Sequence, residues 1–329
     1  MRIVITGSSG HLGEALCRVL GAEGVEVASI DVLPSPYTTA VGSITDRALV
    51  RRLVDGADAV LHTATLHKPH VGSHGRQDFV DTNVTGTLVL LEEAVAAGVG
   101  RFVFTSTTSA FGHALVPPRD APAAWITEAV RPVPKNVYGV TKTAAEDLCE
   151  LVHRDTGLPV VILRTSRFFP EGDDRDAVRE RYADANLKVN ELLYRRVDLS
   201  DVVSAHRCAL DRAGDIGFGR YIVSATTPFV PDDLEALHRD APPVVARHVP
   251  AFESLYAELG WRMFDSIERV YVNAAARRDL GWTPKYDFAY AVDRLAAGEE
   301  WRSELTLAVG AKGYHAEPTG VYTLGPDAR

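Results

Sequence analysis

The stretch Thr6-Gly7-Ser8-Ser9-Gly10-His11-Leu12-Gly13 decides how this chain is read. It stands between a short β-branched run at residues 3–6 and a segment of helical period at 11–22, where Leu12, Ala15, Leu16, Val19 and Leu20 share one stripe. Gly7 permits a tight turn, Gly10 lets the backbone approach a pyrophosphate, and Gly13 lets the helix pack close to the strand. Ser9, His11 and Leu12 complete the turn, and the helix N-terminus offers free N–H groups and a partial positive charge to phosphates. A glycine-rich surface turn can mimic such a pattern, so the strand–turn–helix setting carries the weight.

Outward from the turn, residues 25–31 read as a second strand ending at Asp31. A carboxylate at that place accepts hydrogen bonds from both hydroxyls of an adenosine ribose and repels a 2′-phosphate. No arginine lies within several residues of Asp31 or inside the turn, so the expected cofactor is NAD rather than NADP. Further strands are expected at 59–62, 101–106 and 160–164, with helices at 48–54, 85–97 and 138–155. Strand and helix alternate without hairpin signals, which implies a parallel sheet covered on both faces and, with right-handed crossovers, a doubly wound Rossmann sheet. After Arg164 the rhythm breaks into a charged, irregular stretch at 168–185 that includes Glu171, Asp173, Asp174, Arg175 and Asp176. A helix at 199–210 and a strand at 221–224 are expected beyond it. The organisation expected is a dinucleotide-binding domain at 1–165, rejoined by 196–225, and a smaller α/β substrate lobe within 166–329. The segment 314–329 reads as an arm over that lobe.

Composition narrows the function classes. The chain has 329 residues, a net charge of −9, 46% hydrophobic and 24% charged residues, as an ordinary soluble globular protein does. The acidic balance and the lack of a basic block argue against nucleic acid as a partner. No apolar run approaches the roughly 18 residues that cross a bilayer, and the N-terminus shows no signal-peptide zones. Cys17, Cys149 and Cys208 are far apart, odd in number and set in apolar helical contexts, so reduced thiols of a cytoplasmic protein are expected. There are no internal repeats or low-complexity tracts.

Chemistry enters with Tyr138-Gly139-Val140-Thr141-Lys142 at the start of a long helix, where a separation of four puts tyrosine and lysine on one face. A free tyrosine is a poor base at a pKa of about 10. A neighbouring ammonium and an oxidised nicotinamide both stabilise the phenolate and are expected to lower that value. Thr105, Ser106, Thr107, Thr108 and Ser109 place hydroxyls at the carboxyl edge of the sheet, where open α/β sheets bind ligands. An exposed Tyr–Lys pair and a merely polar loop are the alternatives to a catalytic site.

Taken together, these motifs resemble the extended short-chain dehydrogenase/reductases, the NAD-dependent epimerase/dehydratase family. The resemblance rests on Gly7, Gly10, Gly13 and Asp31, on Ile44-Thr45-Asp46 and His62-Thr63-Ala64, on Asn83-Val84-Thr85-Gly86-Thr87, and on Leu280-Gly281-Trp282-Thr283-Pro284. It implies Thr107 as the catalytic hydroxyl, Tyr138 as base and Lys142 as ribose-binding lysine. It also places Ile44, Thr63, Ala64, Asn83, Thr105 and Arg164 with the cofactor. A homodimer through the helices at 85–97 and 138–155 is implied as well. Leu88, Leu91, Ala94 and Val95, with Ala144, Ala145, Leu148 and Val152, carry more apolar surface than one sheet contact needs.

The departures bear on the reaction. Sugar-nucleotide dehydratases place an acidic pair after the catalytic hydroxyl residue, whereas Thr108 and Ser109 follow Thr107, which argues against dehydration. The family's Asn-x-Tyr-Gly-Pro segment is replaced by Arg167-Phe168-Phe169-Pro170, which weakens the case for a nucleotide-sugar substrate. Arg167, Arg195 and Arg196 are candidates to hold an anionic substrate group, with surface salt bridges as their other use. The loop from His67 to His74 carries His67, His70 and His74; no metal is expected there, and His67 and Lys68 are read as polar contacts to substrate. Two enzyme readings remain: epimerisation of a sugar or sugar-nucleotide derivative with retained NAD, and a dehydrogenase or ketone reductase with exchangeable NAD(P). A non-catalytic NAD-sensing scaffold is the reading from another class, and the intact Thr107, Tyr138 and Lys142 argue against it.

Overall fold

A computed structural model describes residues 1–118, 120–173 and 175–312; the expected arm at 314–329 lies outside them. β1 (Arg2–Thr6), α1 (His11–Ala22), β2 (Glu26–Asp31), a two-residue β3 (Ala40–Val41), α2 (Arg47–Val54) and β4 (Ala59–His62) come first. A one-turn α3 (Arg76–Phe79) widens at Val80–Thr85 and continues into α4 (Gly86–Ala96), followed by β5 (Arg101–Thr107). Then come β6 (Ala124–Ile126), α5 (Val137–Thr156), β7 (Val160–Thr165), α6 (Asp176–Arg181), α7 (Asp184–Glu191), α8 (Leu199–Ile216) and β8 (Phe218–Val223). The remainder holds α9 (Leu234–Arg239), α10 (Ala241–His248), α11 (Ala251–Leu259), β9 (Arg269–Tyr271), α12 (Ala274–Asp279), α13 (Phe288–Ala296) and α14 (Glu304–Val309).

Seven strands form one sheet in the order β3-β2-β1-β4-β5-β7-β8, and every pairing is parallel. This is the doubly wound α/β architecture that the alternation implies. Central strands such as β4 and β7 are buried along their whole length, as a sheet covered on both faces requires. Alternate residues serve opposite faces. Ile3, Ile5, Val103, Val161 and Leu163 pack with α1 and α8, while Val4, Val60, Phe102, Phe104 and Ile162 pack with α2, α4 and α5. Strand order reverses between β1 and β4, which opens a crevice at their carboxyl ends.

A separate apolar cluster collects Leu192, Leu193, Phe229, Leu237, Phe252, Phe288 and Trp301, and it draws Ala123 from just before β6. β6 pairs with β9 in a two-stranded parallel sheet that the sequence reading missed, because three residues are too few to show alternation. The Leu280–Pro284 turn ties this region to α8. The Trp282 indole N–H donates to the Asp201 carbonyl and the Ser204 hydroxyl, while the backbone N–H groups of Lys285 and Tyr286 donate to the Asp201 carboxylate at 3.0 and 2.9 Å.

Four expectations shift. The helix expected at 199–210 runs on to Ile216, where Gly217 at φ 69° ends it. The last sheet strand starts earlier, at Phe218, and the stretch read as irregular contains α6. On the helices expected to pair two copies, Leu91, Ala94 and Ala145 are consumed by the chain's own core, and Leu88, Val95, Ala144, Leu148 and Val152 are half-buried. Cys17 and Cys149 are buried and Cys208 half-buried, all as free thiols on α1, α5 and α8.

Candidate active site

A cleft of about 870 Å³ runs along the carboxyl edge of the sheet, from the glycine turn to the loops after β5 and β7. Gly7 sits at φ 76° and its N–H donates to the Ile30 carbonyl at 2.7 Å, which folds the turn onto β2. A Cβ on Gly13 would lie 1.9 Å from the Gly7 carbonyl oxygen, so α1 approaches the turn as only glycine allows. Gly7, Ser9, Gly10, His11, Leu12, Gly13, Asp31, Ile44, Thr63 and Ala64 all line the cleft. The Asp31 carboxylate accepts the N–H of Ser9 and of Leu33, each at 2.9 Å, and so is already fixed by backbone. A glycine cradle, an open helix N-terminus and a fixed carboxylate one strand away fit an adenine dinucleotide.

A hydrogen-bond relay fastens β1 to β4 behind the turn. The Thr6 hydroxyl accepts the N–H of Thr63 and Ala64 and donates its own proton to His62 Nδ1 at 2.7 Å. His62 Nε2 then donates to the Thr87 hydroxyl at 2.9 Å, which donates to the Asn83 carbonyl. Burial first, and the Lys142 charge second, hold His62 well below its ordinary pKa, so it stays neutral. Asn83 is not part of the cleft wall. Its amide accepts the Leu66 N–H and donates to the Leu66 carbonyl and the Thr141 hydroxyl, so it braces the loop after β4 against α5.

At the cleft floor the Thr107 and Tyr138 side chains both line the cavity, with Thr107 near enough to the phenol to favour its ionised form. Thr107 ends β5 and its hydroxyl also accepts the Ser109 N–H at 3.0 Å. Asn136 caps α5 by accepting the Gly139 N–H, which sets the entry angle of Tyr138. Lys142, one turn further, donates to the Thr105 carbonyl at 2.7 Å and lies 3.9 Å from the centre of the Phe104 ring. The Thr105 side chain is taken by His206, so its carbonyl is the group that matters. Burial pushes Lys142 down to about 7, opposed by Glu146, and pushes the Tyr138 phenol up to about 12, opposed only by Thr107. Burial thus opposes the lowering expected from the lysine and an oxidised nicotinamide.

Arg164 departs from its expected place beside the cofactor. It is buried behind the floor in a two-pronged pair with Glu146, whose carboxylate also accepts the Ser106 hydroxyl at 2.5 Å. Nothing in the spacing of Lys142 and Glu146 announced this support, although an i,i+4 separation permits it.

The substrate end gathers His67, Lys68, Thr108, Arg167, Phe168 and Arg195, with Lys135, Arg269 and Tyr271 as members the sequence reading missed. Arg196 turns away, donating to Glu191 and to the Phe169 carbonyl. Arg167 meets Asp173 and Glu191 at 3.1 and 3.3 Å, and Arg195 meets Glu191 at 2.6 Å, so two of the expected anion-holding arginines face the cleft while paired. Burial alone would raise the Glu191 carboxyl, yet Arg195, Arg167 and Arg196 hold it far below the ordinary range. The Arg195 and Arg269 guanidiniums both lie against the Tyr194 ring, at 5.3 and 5.4 Å. His67 packs near Tyr138 and Phe169, with ring centres 6.5 and 6.2 Å away. Among the described residues no group of three or more His, Cys, Asp or Glu is placed to hold a metal ion.

Residues 3–217 match the family model described as the NAD dependent epimerase/dehydratase family. A UDP-glucose 4-epimerase of Rhizobium meliloti (strain 1021) is 28% identical over 324 residues, covering 87% of this chain and 93% of that protein. A 3-beta-hydroxysteroid dehydrogenase of Mycolicibacterium neoaurum is 26% identical over 332 residues, 87% of each. The uncharacterized protein y4nG of Sinorhizobium fredii is 33% identical over 167 residues, and the match spans only 39% of its length. In fold, the chain is similar to a short-chain dehydrogenase/reductase superfamily protein from Agrobacterium tumefaciens with bound NAD, at a TM-score of 0.63 and 24% identity, covering 91% of this chain and 98% of that one.

The buried lysine gives a pH signature. Its native value of about 7 lies below that of the unfolded chain, so between these values the unfolded state binds a proton that the native state has released. Stability from this group therefore rises from about pH 7 to about pH 10 and is lost as pH falls back through 7. Lys142→Met removes that slope. In urea unfolding without cofactor, the stability of the variant relative to wild type should be highest near about pH 6 and shrink toward about pH 10. A difference that does not vary with pH would contradict the burial of a strained ammonium.

Proposed function

The chain belongs to the NAD dependent epimerase/dehydratase family, and from that premise we propose that it oxidises and re-reduces a hydroxyl-bearing carbon of a small anionic sugar derivative, with epimerisation as the net reaction. The observation that carries this reading is the convergence of Thr107 and Tyr138 on the cleft floor, with Lys142 one helical turn away. Residues 1–165 and 196–225 serve as the cofactor half, and the rest as the substrate lobe.

Gly7, Gly10 and Gly13 cradle the pyrophosphate, Asp31 holds the adenosine ribose, and Ile44, Thr63 and Ala64 flank the adenine side. When bound, NAD supplies a hydride acceptor and a positive ring charge beside the phenol. Thr107 holds the substrate oxygen in line with Tyr138. Tyr138 takes the hydroxyl proton as the carbon becomes a ketone, and returns it when the carbon is reduced on its other face. The Lys142 ammonium offsets the phenolate charge, and its bond to the Thr105 carbonyl keeps it from swinging into solvent. At the far end Arg167, Arg195 and Arg269 provide the positive charge for the substrate's anionic group.

A net dehydrogenase with exchangeable cofactor is the second reading. It is favoured by Phe168 and Phe169, which line the cleft where a nucleotide-seating segment would be polar. Thr107, Tyr138 and Lys142 do the same work in either case.

We further propose a cytoplasmic homodimer through α4 and α5. No helix among the described residues is long and apolar enough to cross a membrane. Val80, Val140 and Leu151 are exposed by 38%, 54% and 44% on or beside these helices, which is apolar surface left for a second copy.

The epimerase reading predicts that the purified protein carries near-stoichiometric NAD(H), visible in its absorbance and fluorescence, and turns over without added cofactor. Cofactor-free protein that consumes added NAD in proportion to product would instead establish the dehydrogenase. For the base, Tyr138→Phe should lower turnover by roughly 10²–10⁴-fold while leaving NAD affinity intact. Near-wild-type turnover in that variant would remove Tyr138 from the chemistry.

A further inference from the structure

Lys312 lies where α14 hands the chain back to the cofactor end of the cleft. α14 is anchored by Val309, which is buried in the same apolar cluster as Leu16 and Leu20 of α1, and Gly310 at φ 61° turns the chain at its end. From there the Lys312 N–H donates to Glu171 Oε1 at 3.0 Å, and its ammonium donates to Glu14 Oε2. Lys312 lines the cleft together with Gly7, Ser9, Gly10 and His11.

The setting is electrostatically unusual for a phosphate site. The N-terminus of α1 has to accept a doubly charged pyrophosphate, yet it is flanked by two buried carboxylates. Glu14 lies in the first turn of α1 itself, and Glu171 sits against its first residue, His11, at 2.8 Å from Nε2. Uncompensated, both would repel the cofactor's phosphates across a cleft of low dielectric. Lys312 touches both, its ammonium meeting Glu14 and its backbone N–H meeting Glu171, with Arg18 as a second partner of Glu14 at 2.7 Å. Arg18 stands a turn further along α1, away from the glycine turn, and is not part of the cleft wall.

We propose that Lys312 is a cofactor-binding residue, a cation brought from the C-terminal region to the first turn of α1, where its ammonium offsets Glu14, its N–H holds Glu171 in place, and its charge adds a contact to the dinucleotide pyrophosphate. The inference rests on the glycine turn as the NAD site and adds a cation that no glycine motif supplies. Release of the cofactor then requires Lys312 to give way, which slows it. Slow release suits a reaction in which the same cofactor takes a hydride from a substrate and must give it back.

The test is stopped-flow displacement of NADH from its complex with the full chain by excess NAD, followed by nicotinamide fluorescence. Lys312→Ala should raise the dissociation rate about tenfold and Lys312→Glu more, while Lys312→Arg should stay close to wild type. Thermal unfolding of the cofactor-free variants is measured alongside. Wild-type dissociation rates in Lys312→Ala and Lys312→Glu, with lowered unfolding temperatures, would reduce Lys312 to a tie between α14 and α1 and overturn the proposal. A wild-type protein that forms no complex with NADH would overturn the reading of the turn, and the role of Lys312 with it.

Discussion

Lys142 carries an ammonium into a site only 2% exposed, where one carbonyl and one aromatic face receive it. A buried cation is costly unless its surroundings are arranged for it, and the floor of the cleft is that arrangement. Three successive residues of β5 divide the work. The Thr105 carbonyl accepts the Lys142 hydrogen bond, the Ser106 hydroxyl donates to Glu146, and Thr107 shares the cleft floor with Tyr138. The parallel register with β7 sets Ser106 beside Arg164, which completes the Glu146 pair. A one-residue slip of β5 would turn all three groups to the wrong face. The sheet's register and the site's chemistry are thus one constraint.

The cleft is balanced differently at its two ends. Around the glycine turn, acidic side chains are neutralised so that a helix N-terminus can take an anion. At the far end Glu191 and Asp173 are surrounded by Arg167, Arg195 and Arg196. Buried ion clusters of this kind add little net stability; they fix the geometry of groups that solvent would otherwise loosen.

How much of this was legible in the sequence follows from the range of each interaction. Gly7, Gly10, Gly13 and Asp31 were readable because a strand, a turn and a helix adjacent in sequence make the site. Tyr138 and Lys142 were readable because helical period fixes their spacing. The partnership of Arg164 with Glu146, and the bracing role of Asn83, depend on which strands and helices meet, so both residues were placed with the cofactor instead. Arg269 and Lys312 were invisible for the same reason, since they reach the cleft from parts of the chain remote from the glycine turn and from Tyr138. The burial that opposes the expected lowering of Tyr138 was not legible, because sequence shows the neighbouring charge but not the desolvation.

The central claim is that burial keeps Tyr138 protonated, at about 12, and that cofactor charge together with Lys142 converts it into a base. The most direct measurement is the ultraviolet phenolate difference titration of the protein with and without NAD, each corrected by the same titration of Tyr138→Phe. The account predicts that NAD moves the Tyr138 ionisation clearly downward. An ionisation that stays where it is when NAD binds would contradict it.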